Sequence, residues 1–213
     1  IKNYFKSMSF RYEEKLRITK SKIFELKNWI SVNSGEVLFP SRIINSIYFD
    51  NQNFTMYHHS IEGILPRKKI RLRNYNKEFK FSETANKEIK ISSVEGRYKI
   101  SEKINKPMQI MNLGIYDLNY GVCVPVLNVI YQRSYYKINN IRLTLDEKII
   151  YKRIVKHKIS ELSTFDDYNV VELKFNSSKF YKTAIQEFPF ERFRFSKYCR
   201  GIEFIRSNYC NEL

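Results

Sequence analysis

The sequence predicts an antiparallel α+β fold in a single domain. Many short segments alternate apolar and charged residues with the two-residue period of a half-buried strand, and few segments show a helical period. Glycine and proline are scarce, with 6 and 5 residues, and no stretch has the composition of a linker. A chain of 213 residues that is 43% hydrophobic can bury a core of its own. We therefore expect one domain over residues 1–213.

The first half of the chain is predicted to alternate strands with short helices. The stretch FRYEEKLRI, residues 10–18, alternates apolar and charged side chains and indicates a strand. Residues 21–31 carry apolar side chains at helical spacing and end just before Ser34-Gly35, a plausible stop. The β-branched and aromatic run IINSIYF, residues 43–49, is typical of a strand, and Asp50 is placed to cap a short helical turn over residues 51–58.

The remaining elements follow from the same two periods. Alternation of charged and apolar residues predicts strands over residues 68–75, 87–92, 126–136, 141–146 and 170–175. Helices are predicted over residues 106–113 and 178–187, the second of which ends before Pro189. The excess of short strands over helices favours an antiparallel sheet over a doubly wound parallel one.

The net charge points to a polyanionic partner. Lys and Arg number 38 against 22 Asp and Glu, which gives +16, and such a field attracts nucleic acid, anionic lipid, nucleotides or phosphate chains. Three cysteines without C-x-x-C spacing and three scattered histidines argue against a disulfide framework, a zinc ribbon and a His-based metal site. No apolar run approaches the roughly 20 residues of a membrane span. We expect a cytoplasmic protein, associated with a membrane only through a partner or a segment outside this chain.

The charged positions recur on one parity of several predicted strands. In RKKIRLRN, Arg67, Lys69, Arg71 and Arg73 occupy every second position, and KEIKI, IRLTLD and VELKF repeat the pattern with apolar residues between. A sheet with one face in water gives the same alternation. Two details favour a binding face: the polar positions are mainly Arg, Lys and Glu, and single carboxylates stand two positions from a base. If the strands close into a barrel, these faces converge on one lumen.

The residue types suit phosphate and a divalent metal. Arginine binds phosphate oxygens bidentately and stays charged when desolvated, whereas lysine acts as a compact point charge. Magnesium and manganese prefer oxygen ligands, often one or two carboxylates together with substrate phosphates. Glu172 and Glu13 are therefore candidate metal ligands. The alternative for each is an ordinary salt bridge with its neighbouring base.

A series of motifs in a fixed order resembles a known family. The motifs are RYEEKLRI, NSIYFDNQN, IEGILPRKKIRLRNY, KEIKISSVEGRYK, VIYQRSYY, IRLTLD, VVELKF and FSKYCRGI. Together they resemble the VTC-type polyphosphate polymerase domain of the triphosphate tunnel metalloenzymes, from about Phe10 to Ile202. The resemblance implies an eight-stranded antiparallel β-barrel whose lumen is a basic tunnel, with flanking helices.

The resemblance also implies roles for individual residues. Expected phosphate ligands with a catalytic role are Lys15, Arg71, Arg73, Lys90, Arg133, Arg142 and Lys197. Further substrate-binding residues are expected at Arg11, Lys69, Lys174, Arg194 and Ser196. Glu172 and Glu13 would hold Mn²⁺ or Mg²⁺. The E-x-E-x-K signature of the wider superfamily is Arg11-x-Glu13-x-Lys15 in this chain, and the loss of one carboxylate argues against a two-metal hydrolase.

The implied activity is transfer of the γ-phosphoryl group of ATP, or of another nucleoside triphosphate, to a growing polyphosphate chain. One alternative is a tunnel tripolyphosphatase or polyphosphate hydrolase on the same barrel. Another is a non-catalytic binder of polyphosphate or of nucleic acid, with Tyr75, Tyr131 and Tyr135 as stacking platforms. Glutamates among the arginines would repel a nucleic-acid backbone, so no nucleic-acid partner is expected. The resemblance leaves room for a membrane-protein partner.

Overall fold

The computed structural model describes residues 12–81, 83–175, 188, 190 and 193–207. Its strands are β1 (Tyr12–Thr19), β2 (Glu36–Asp50), β3 (Arg67–Asn74), β4 (Ala85–Ser92), β5 (Arg97–Ile104), β6 (Ile115–Asp117), β7 (Gly121–Ile138), β8 (Ile141–Val155), β9 (Lys158–Ile159), β10 (Thr164–Phe165) and β11 (Tyr168–Phe175). Its helices are α1 (Ile23–Val32), α2 (Thr55–Glu62), α3 (Pro107–Leu113) and α4 (Lys197–Ser207). None of the helices in these ranges is long and apolar enough to cross a bilayer.

The strands form one antiparallel sheet, which confirms the predicted α+β class. The hydrogen-bonded order is β1-β11-β8-β7-β2-β3-β4-β5, while β6 pairs with β7, and β9 and β10 pair with β8. The main path thus contains the eight strands that the resemblance implies. Within the described ranges it starts at β1 and ends at β5, and no pairing joins these two strands.

The predicted elements are found, with differences at their ends and some omissions. β2 begins seven residues before the predicted run at residue 43, because its first half is largely exposed and contains Pro40, which breaks a strand pattern. β5 was not predicted, although Tyr98, Ile100 and Ile104 share one parity of its sequence, and almost all of its side chains are exposed. Helix α4 was also missed. The predicted helix over residues 178–187 lies outside the described residues.

The contacts of the chain divide it into two compact units, and the prediction of a single domain over residues 1–213 stays a prediction. The first unit contains Ile1–Ser41, Arg133–Glu147 and Asp167–Phe195. In it β11 lies between β1 and β8, with Lys15 opposite Glu172 and Glu172 opposite Thr144. Alternate residues of these strands form a buried cluster with α1: Leu16, Ile18, Leu26, Ile30, Leu143, Leu145, Val171, Leu173 and Phe175. Burial of each such side chain contributes about 1.5–3 kcal/mol and holds the opposite, charged face of the sheet in register.

The second unit contains Arg42–Gln132, Lys148–Asp166 and Ser196–Leu213. Its strands β2, β3, β4 and β5 pair in sequence, with the buried Ile47 opposite Leu72 and the buried Phe49 opposite Ile70. The predicted cap at Asp50 is confirmed, because its carboxylate accepts hydrogen bonds from the backbone N–H groups of Met56 and Tyr57 in α2. The helix itself begins at Thr55, later than predicted.

Helix α4 is held in place within the second unit by both polar and apolar contacts. The hydroxyl of Ser196 accepts a hydrogen bond from the Cys199 backbone N–H at 3.3 Å, which is an N-terminal cap. Arg200 donates to both carboxylate oxygens of Asp166, at 2.8 and 3.0 Å. Gly201 packs so tightly that an added Cβ would lie 2.5 Å from Leu127 Cδ2 and 2.7 Å from Tyr151 Cδ1.

Candidate functional site

The first unit presents a charged face on the side of the sheet opposite its apolar cluster. We call it the first charged face, formed by Glu13, Lys15 and Arg17 of β1, Glu172 and Lys174 of β11, Arg142, Thr144 and Asp146 of β8, and Arg133 of β7. In register, Lys15, Glu172 and Thr144 form one row across three strands, and Glu13, Lys174 and Arg142 form the next. Directly opposed residues of an antiparallel pair have side chains close enough to interact. The alternation predicted from the sequence therefore gathers these charges on one surface.

Arg133 is held by a carboxylate that the sequence analysis did not select. Its Nε lies 2.5 Å from Asp146 Oδ1 and a terminal nitrogen lies 2.7 Å from Asp146 Oδ2, a bidentate pair. The guanidinium also lies 3.6 Å from Glu172 Oε2. Asp146 thus fixes the Arg133 fork beside Glu172.

Glu172 is a buried carboxylate surrounded by bases. It is 4% exposed, and its Oε1 lies 3.3 Å from Lys174 Nζ. Burial raises the pKa of Glu172, but the charges of Lys15, Lys174 and Arg133 and an interaction with the Glu13 carboxyl outweigh that effect, so the pKa lies well below its usual range. Glu13 in turn pairs with Lys15, with 3.1 Å between Oε1 and Nζ. Glu172 and Glu13 therefore both form salt bridges with a neighbouring base, which is the alternative role considered for each of them in place of metal binding.

The residues present fit a divalent cation that is also bound by substrate phosphates. Among the described residues, Oε1 of Glu172 is buried and makes no hydrogen bond, and its contact is the ion pair with Lys174 Nζ at 3.3 Å, a position that a metal ion could take on this ionised carboxylate. Glu13 brings a second carboxyl into contact with it. The described residues contain no group of three or more His, Cys, Asp or Glu side chains that could hold a metal alone. Two carboxylates supplemented by phosphate oxygens are a common arrangement for Mg²⁺.

Arg17 and Arg142 are placed by aromatic rings. The Arg17 guanidinium lies between two rings, 4.0 Å from the centroid of Tyr168 and 3.8 Å from that of Phe193. Arg142 lies 5.7 Å from the ring centroid of Tyr135. Ring contacts of this kind leave the in-plane N–H donors of a guanidinium available for an anion.

The second unit presents another charged face, on β3 and its neighbours. We call it the second charged face, formed by Tyr48 of β2, Lys69, Arg71 and Arg73 of β3, Glu88 and Lys90 of β4, Lys99 of β5, Tyr131 of β7, and Ser196 and Lys197 of α4. The opposite parity of β3 supplies the fully buried Ile70 and Leu72. The RKKIRLRN pattern is thus one apolar and one charged side of the same strand.

Glu88 is the shared acidic partner of this face. Its Oε2 accepts hydrogen bonds from Arg71 Nε at 2.7 Å and from Arg71 Nη2 at 2.5 Å. The same oxygen lies 3.6 Å from Arg73 Nη1. Its Oε1 accepts from Lys99. Burial raises the pKa of Glu88, but the charges of Arg71, Arg73 and Lys99 outweigh that effect and lower it to about 2. One buried carboxylate thus orients three bases.

Two tyrosines hold the arginine side chains from the other side. The Tyr48 hydroxyl accepts a hydrogen bond from Arg71 at 2.9 Å, and the Tyr131 hydroxyl accepts one from Arg73 at 3.1 Å. Burial raises the pKa of Tyr48, but the charges of Arg71 and Arg73 outweigh that effect, so its pKa lies below the ordinary value. The ring centroid of Tyr131 also lies 4.6 Å from Lys197 Nζ.

Three lysines lie in one row across the strands of this face. Lys69 of β3 is opposite Lys90 of β4, and Lys90 is opposite Lys99 of β5. Lys69 also donates to the Ser196 hydroxyl at 2.8 Å, which links β3 to the start of α4. Like charges directly opposed on a sheet repel each other, and Lys99 of this row is also paired with Glu88.

The predicted site residues fall into two sets. The first charged face contains Glu13, Lys15, Arg133, Arg142, Glu172 and Lys174. The second contains Lys69, Arg71, Arg73, Lys90, Ser196 and Lys197. Arg194 is exposed in the segment of the first unit that follows Phe193, and Arg11 lies outside the described residues.

Several residues of the two faces were not predicted as site residues. They are Arg17, Tyr48, Glu88, Lys99, Thr144 and Asp146, whereas Tyr131 was named only as a stacking platform of the nucleic-acid alternative. Glu88 and Asp146 share a parity with predicted bases, and this signal was visible in KEIKI and IRLTLD. Lys99 lies on the unpredicted strand β5. The contacts of the tyrosines depend on pairing between distant strands, which no local pattern encodes.

Comparison with known proteins identifies relatives of the chain. The model of the VTC domain matches residues 10–206. No curated protein sequence matches the chain at a significant level. Among solved structures, a proposed adenylate cyclase from Bacillus halodurans matches with a TM-score of 0.57 and 13% identity, over 86% of this chain and 92% of that one.

Two further solved structures have a similar fold. A proposed adenylate cyclase from Vibrio parahaemolyticus matches with a TM-score of 0.54 and 15% identity, over 92% of this chain and 98% of that one. A proposed adenylyl cyclase from Hippeastrum, described as having a dominant triphosphatase activity, matches with a TM-score of 0.56 and 14% identity, over 90% of this chain and 94% of that one. At these identities the structures establish the fold alone. Because the family model spans residues 10–206 of the 213, the chain belongs to the VTC domain family.

Proposed function

We propose that the chain is a metal-dependent polyphosphate polymerase that transfers the γ-phosphoryl group of ATP to the end of a phosphate chain. The observation that carries the proposal is the composition of the two charged faces, each of which sets oriented bases around a buried carboxylate of its own, Glu172 on the first face and Glu88 on the second. Membership of the VTC domain family supports a substrate that is a triphosphate or polyphosphate.

The bases of the second charged face are proposed to bind phosphate oxygens. Glu88 and the two tyrosines hold Arg71 and Arg73 in fixed orientations before substrate arrives. Preorganised donors lose little rotamer entropy on binding and need little rearrangement when charge develops in the transition state. Lys69, Lys90 and Lys99 add a row of point charges suited to successive phosphate groups.

The carboxylates of the first charged face are proposed to hold Mn²⁺ or Mg²⁺, with Glu172 as the principal ligand and Glu13 beside it. When bound, the metal would supply positive charge and Lewis-acid polarisation to the phosphoryl oxygens. Lys15, Arg133 and Arg142 would bind and orient the phosphate groups around it. Phosphoryl transfer proceeds mainly by positioning and charge stabilisation, so this mechanism needs no Ser–His–Asp triad.

The test is to incubate the purified chain with ATP and Mn²⁺ or Mg²⁺ and to measure the length of any acid-labile phosphate polymer. We expect long chains from the wild type and a loss on the order of a hundredfold in Glu172→Gln, Arg71→Ala and Arg73→Ala. Lys80→Ala is the matched control, because Lys80 belongs to neither face, is half exposed and pairs only with Glu83 among the described residues. Absence of polymer and of phosphate release with either metal would contradict an enzymatic role.

A tripolyphosphatase is a second candidate, and the relative from Hippeastrum with triphosphatase activity favours it. Water would then replace the phosphate chain as acceptor while the same bases and carboxylates bind the substrate. The assay above separates the two activities by product. A hydrolase releases orthophosphate or pyrophosphate from ATP or tripolyphosphate and forms no species longer than its substrate.

A further inference from the structure

Among the described residues, two buried side-chain oxygens on the first charged face make no hydrogen bond. They are Oγ1 of Thr144 and Oε1 of Glu172, and the latter lies 3.3 Å from Lys174 Nζ. Glu172 is 4% exposed and Thr144 is 2% exposed. The two residues are directly opposite each other across β11 and β8, so their side chains extend from the same face and lie close together.

A buried hydroxyl without a hydrogen bond is costly to the empty protein. It loses its hydration without replacement, and valine would fill nearly the same volume at that position without this cost. A ligand bound at this face would supply the partner that the Thr144 hydroxyl lacks among the described residues.

The charges around the pair define what that ligand is. The first charged face holds five bases, Lys15, Arg17, Arg133, Arg142 and Lys174, against three carboxylates, Glu13, Asp146 and Glu172. A bare divalent cation would be repelled by this excess of positive charge. A metal–triphosphate complex instead presents its negatively charged phosphate oxygens to the bases. Its hydrated metal then faces the Glu172 carboxylate and the Thr144 hydroxyl.

We propose that Thr144 is a ligand-positioning residue whose hydroxyl, together with Glu172, receives the hydrated divalent metal of a metal–triphosphate complex. The inference rests on the proposed function and adds to it a residue and an order of preference. The first face binds metal and triphosphate together much more tightly than it binds either alone, because the complex brings phosphate oxygens to the bases and a cation to the Glu172 carboxylate and the Thr144 hydroxyl.

The experiment compares the wild type with Thr144→Val and Thr144→Ser. Affinity for imidotriphosphate, which resists hydrolysis, is measured by calorimetry with Mn²⁺ and again with a chelator, and the melting temperature is measured without ligand. For Thr144→Val we expect a higher melting temperature of the empty protein and at least a fivefold loss of the Mn²⁺-dependent gain in affinity, on the order of one hydrogen bond. Thr144→Ser retains a hydroxyl and should retain most of that gain. Thr19→Val, at an exposed position of β1, is the matched control and should change neither quantity.

The outcomes separate this inference from the proposed function. If the wild type gains affinity from Mn²⁺ and Thr144→Val gains as much, the hydroxyl contacts only water and the inference is wrong while the proposed function stands. If Mn²⁺ does not change the wild-type affinity for the triphosphate, both are overturned. Equal losses in the Val and Ser variants would assign the effect to packing and would also reject the inference.

Discussion

At the scale of single residues, the site depends on carboxylates that orient bases. Glu88 illustrates this, because its two oxygens contact Arg71, Arg73 and Lys99 while its side chain is nearly fully buried. Removing one partner of such a network leaves charges buried without compensation, which costs more than the network contributes in net stability. Glu88 therefore couples the orientation of the phosphate-binding arginines to the stability of the second unit.

We predict that Glu88→Gln lowers the free energy of unfolding at pH 7 by about 2–3 kcal/mol. The pKa of Glu88 is lowered from 4.5 to about 2 in the folded protein, so its contribution is complete above pH 4.5 and is lost as the pH falls towards 2. The difference between wild type and variant should shrink over that window in denaturant titrations. Glu102→Gln is the control, since Glu102 pairs with Lys87 but is 58% exposed. Equal effects of the two variants at pH 7 would contradict the assignment.

The sequence could supply the bases of the site but not their partners. Arg71, Arg73 and Glu172 were predictable because alternation with buried residues puts them on the charged side of a strand. The contact of Arg71 with Glu88 depends on the register of β3 against β4, and that of Arg133 with Asp146 on the pairing of β7 with β8. Register is fixed by the whole buried face, so single-strand patterns do not contain it.

At the scale of elements, strands with one buried face were predictable from the alternation of apolar and charged residues. Helix α4, which shows no such alternation, was not predicted. β3, β4 and β11 carry clear alternation and were found within a few residues of their ends. Helix α4 was missed, and its glycine at position 201 lowers helix propensity by about 1 kcal/mol relative to alanine. The structure explains the glycine, because the helix approaches Leu127 and Tyr151 too closely for a side chain.

We predict that Gly201→Ala destabilises the protein by about 1–2 kcal/mol, despite the better helix propensity of alanine. The added Cβ would lie 2.7 Å from the Tyr151 ring, and that ring cannot move freely because its hydroxyl donates to Asp166 at 2.7 Å. Thermal unfolding measured by circular dichroism checks the prediction. Glu203→Ala, at an exposed position of the same helix, should change stability by no more than about 0.5 kcal/mol. A stabilised Gly201→Ala would mean that α4 packs less closely.

At the scale of the whole molecule, the fold class was predictable. The net charge of +16 predicts a polyanionic partner, but the scattered lysines did not show where it would bind. The two charged faces are the proposed place, since each combines bases with at least one buried carboxylate. The number of strands in the main path was expected only from the family resemblance, because the alternation in β5 is short and its side chains are mostly exposed, so no buried face marks it as part of the sheet.

We predict that binding of polyphosphate weakens on the order of tenfold or more between 0.05 and 0.5 M NaCl, because screening shortens the range of the interaction between the chain's charges and the ligand. The loss should be steeper for longer phosphate chains, which contact more bases. Fluorescence anisotropy with labelled polyphosphate of defined lengths measures both trends. An affinity independent of salt would mean that uncharged contacts dominate.

The lysine row of Lys69, Lys90 and Lys99 has a consequence for the folding of the second unit. Mutual repulsion along the row opposes the pairing of β3, β4 and β5, so an anion that neutralises it binds the folded state alone and acts as a folding ligand. Under the proposed function, the melting temperature of the chain should therefore rise with the concentration of free polyphosphate, and removal of the ligand should lower it.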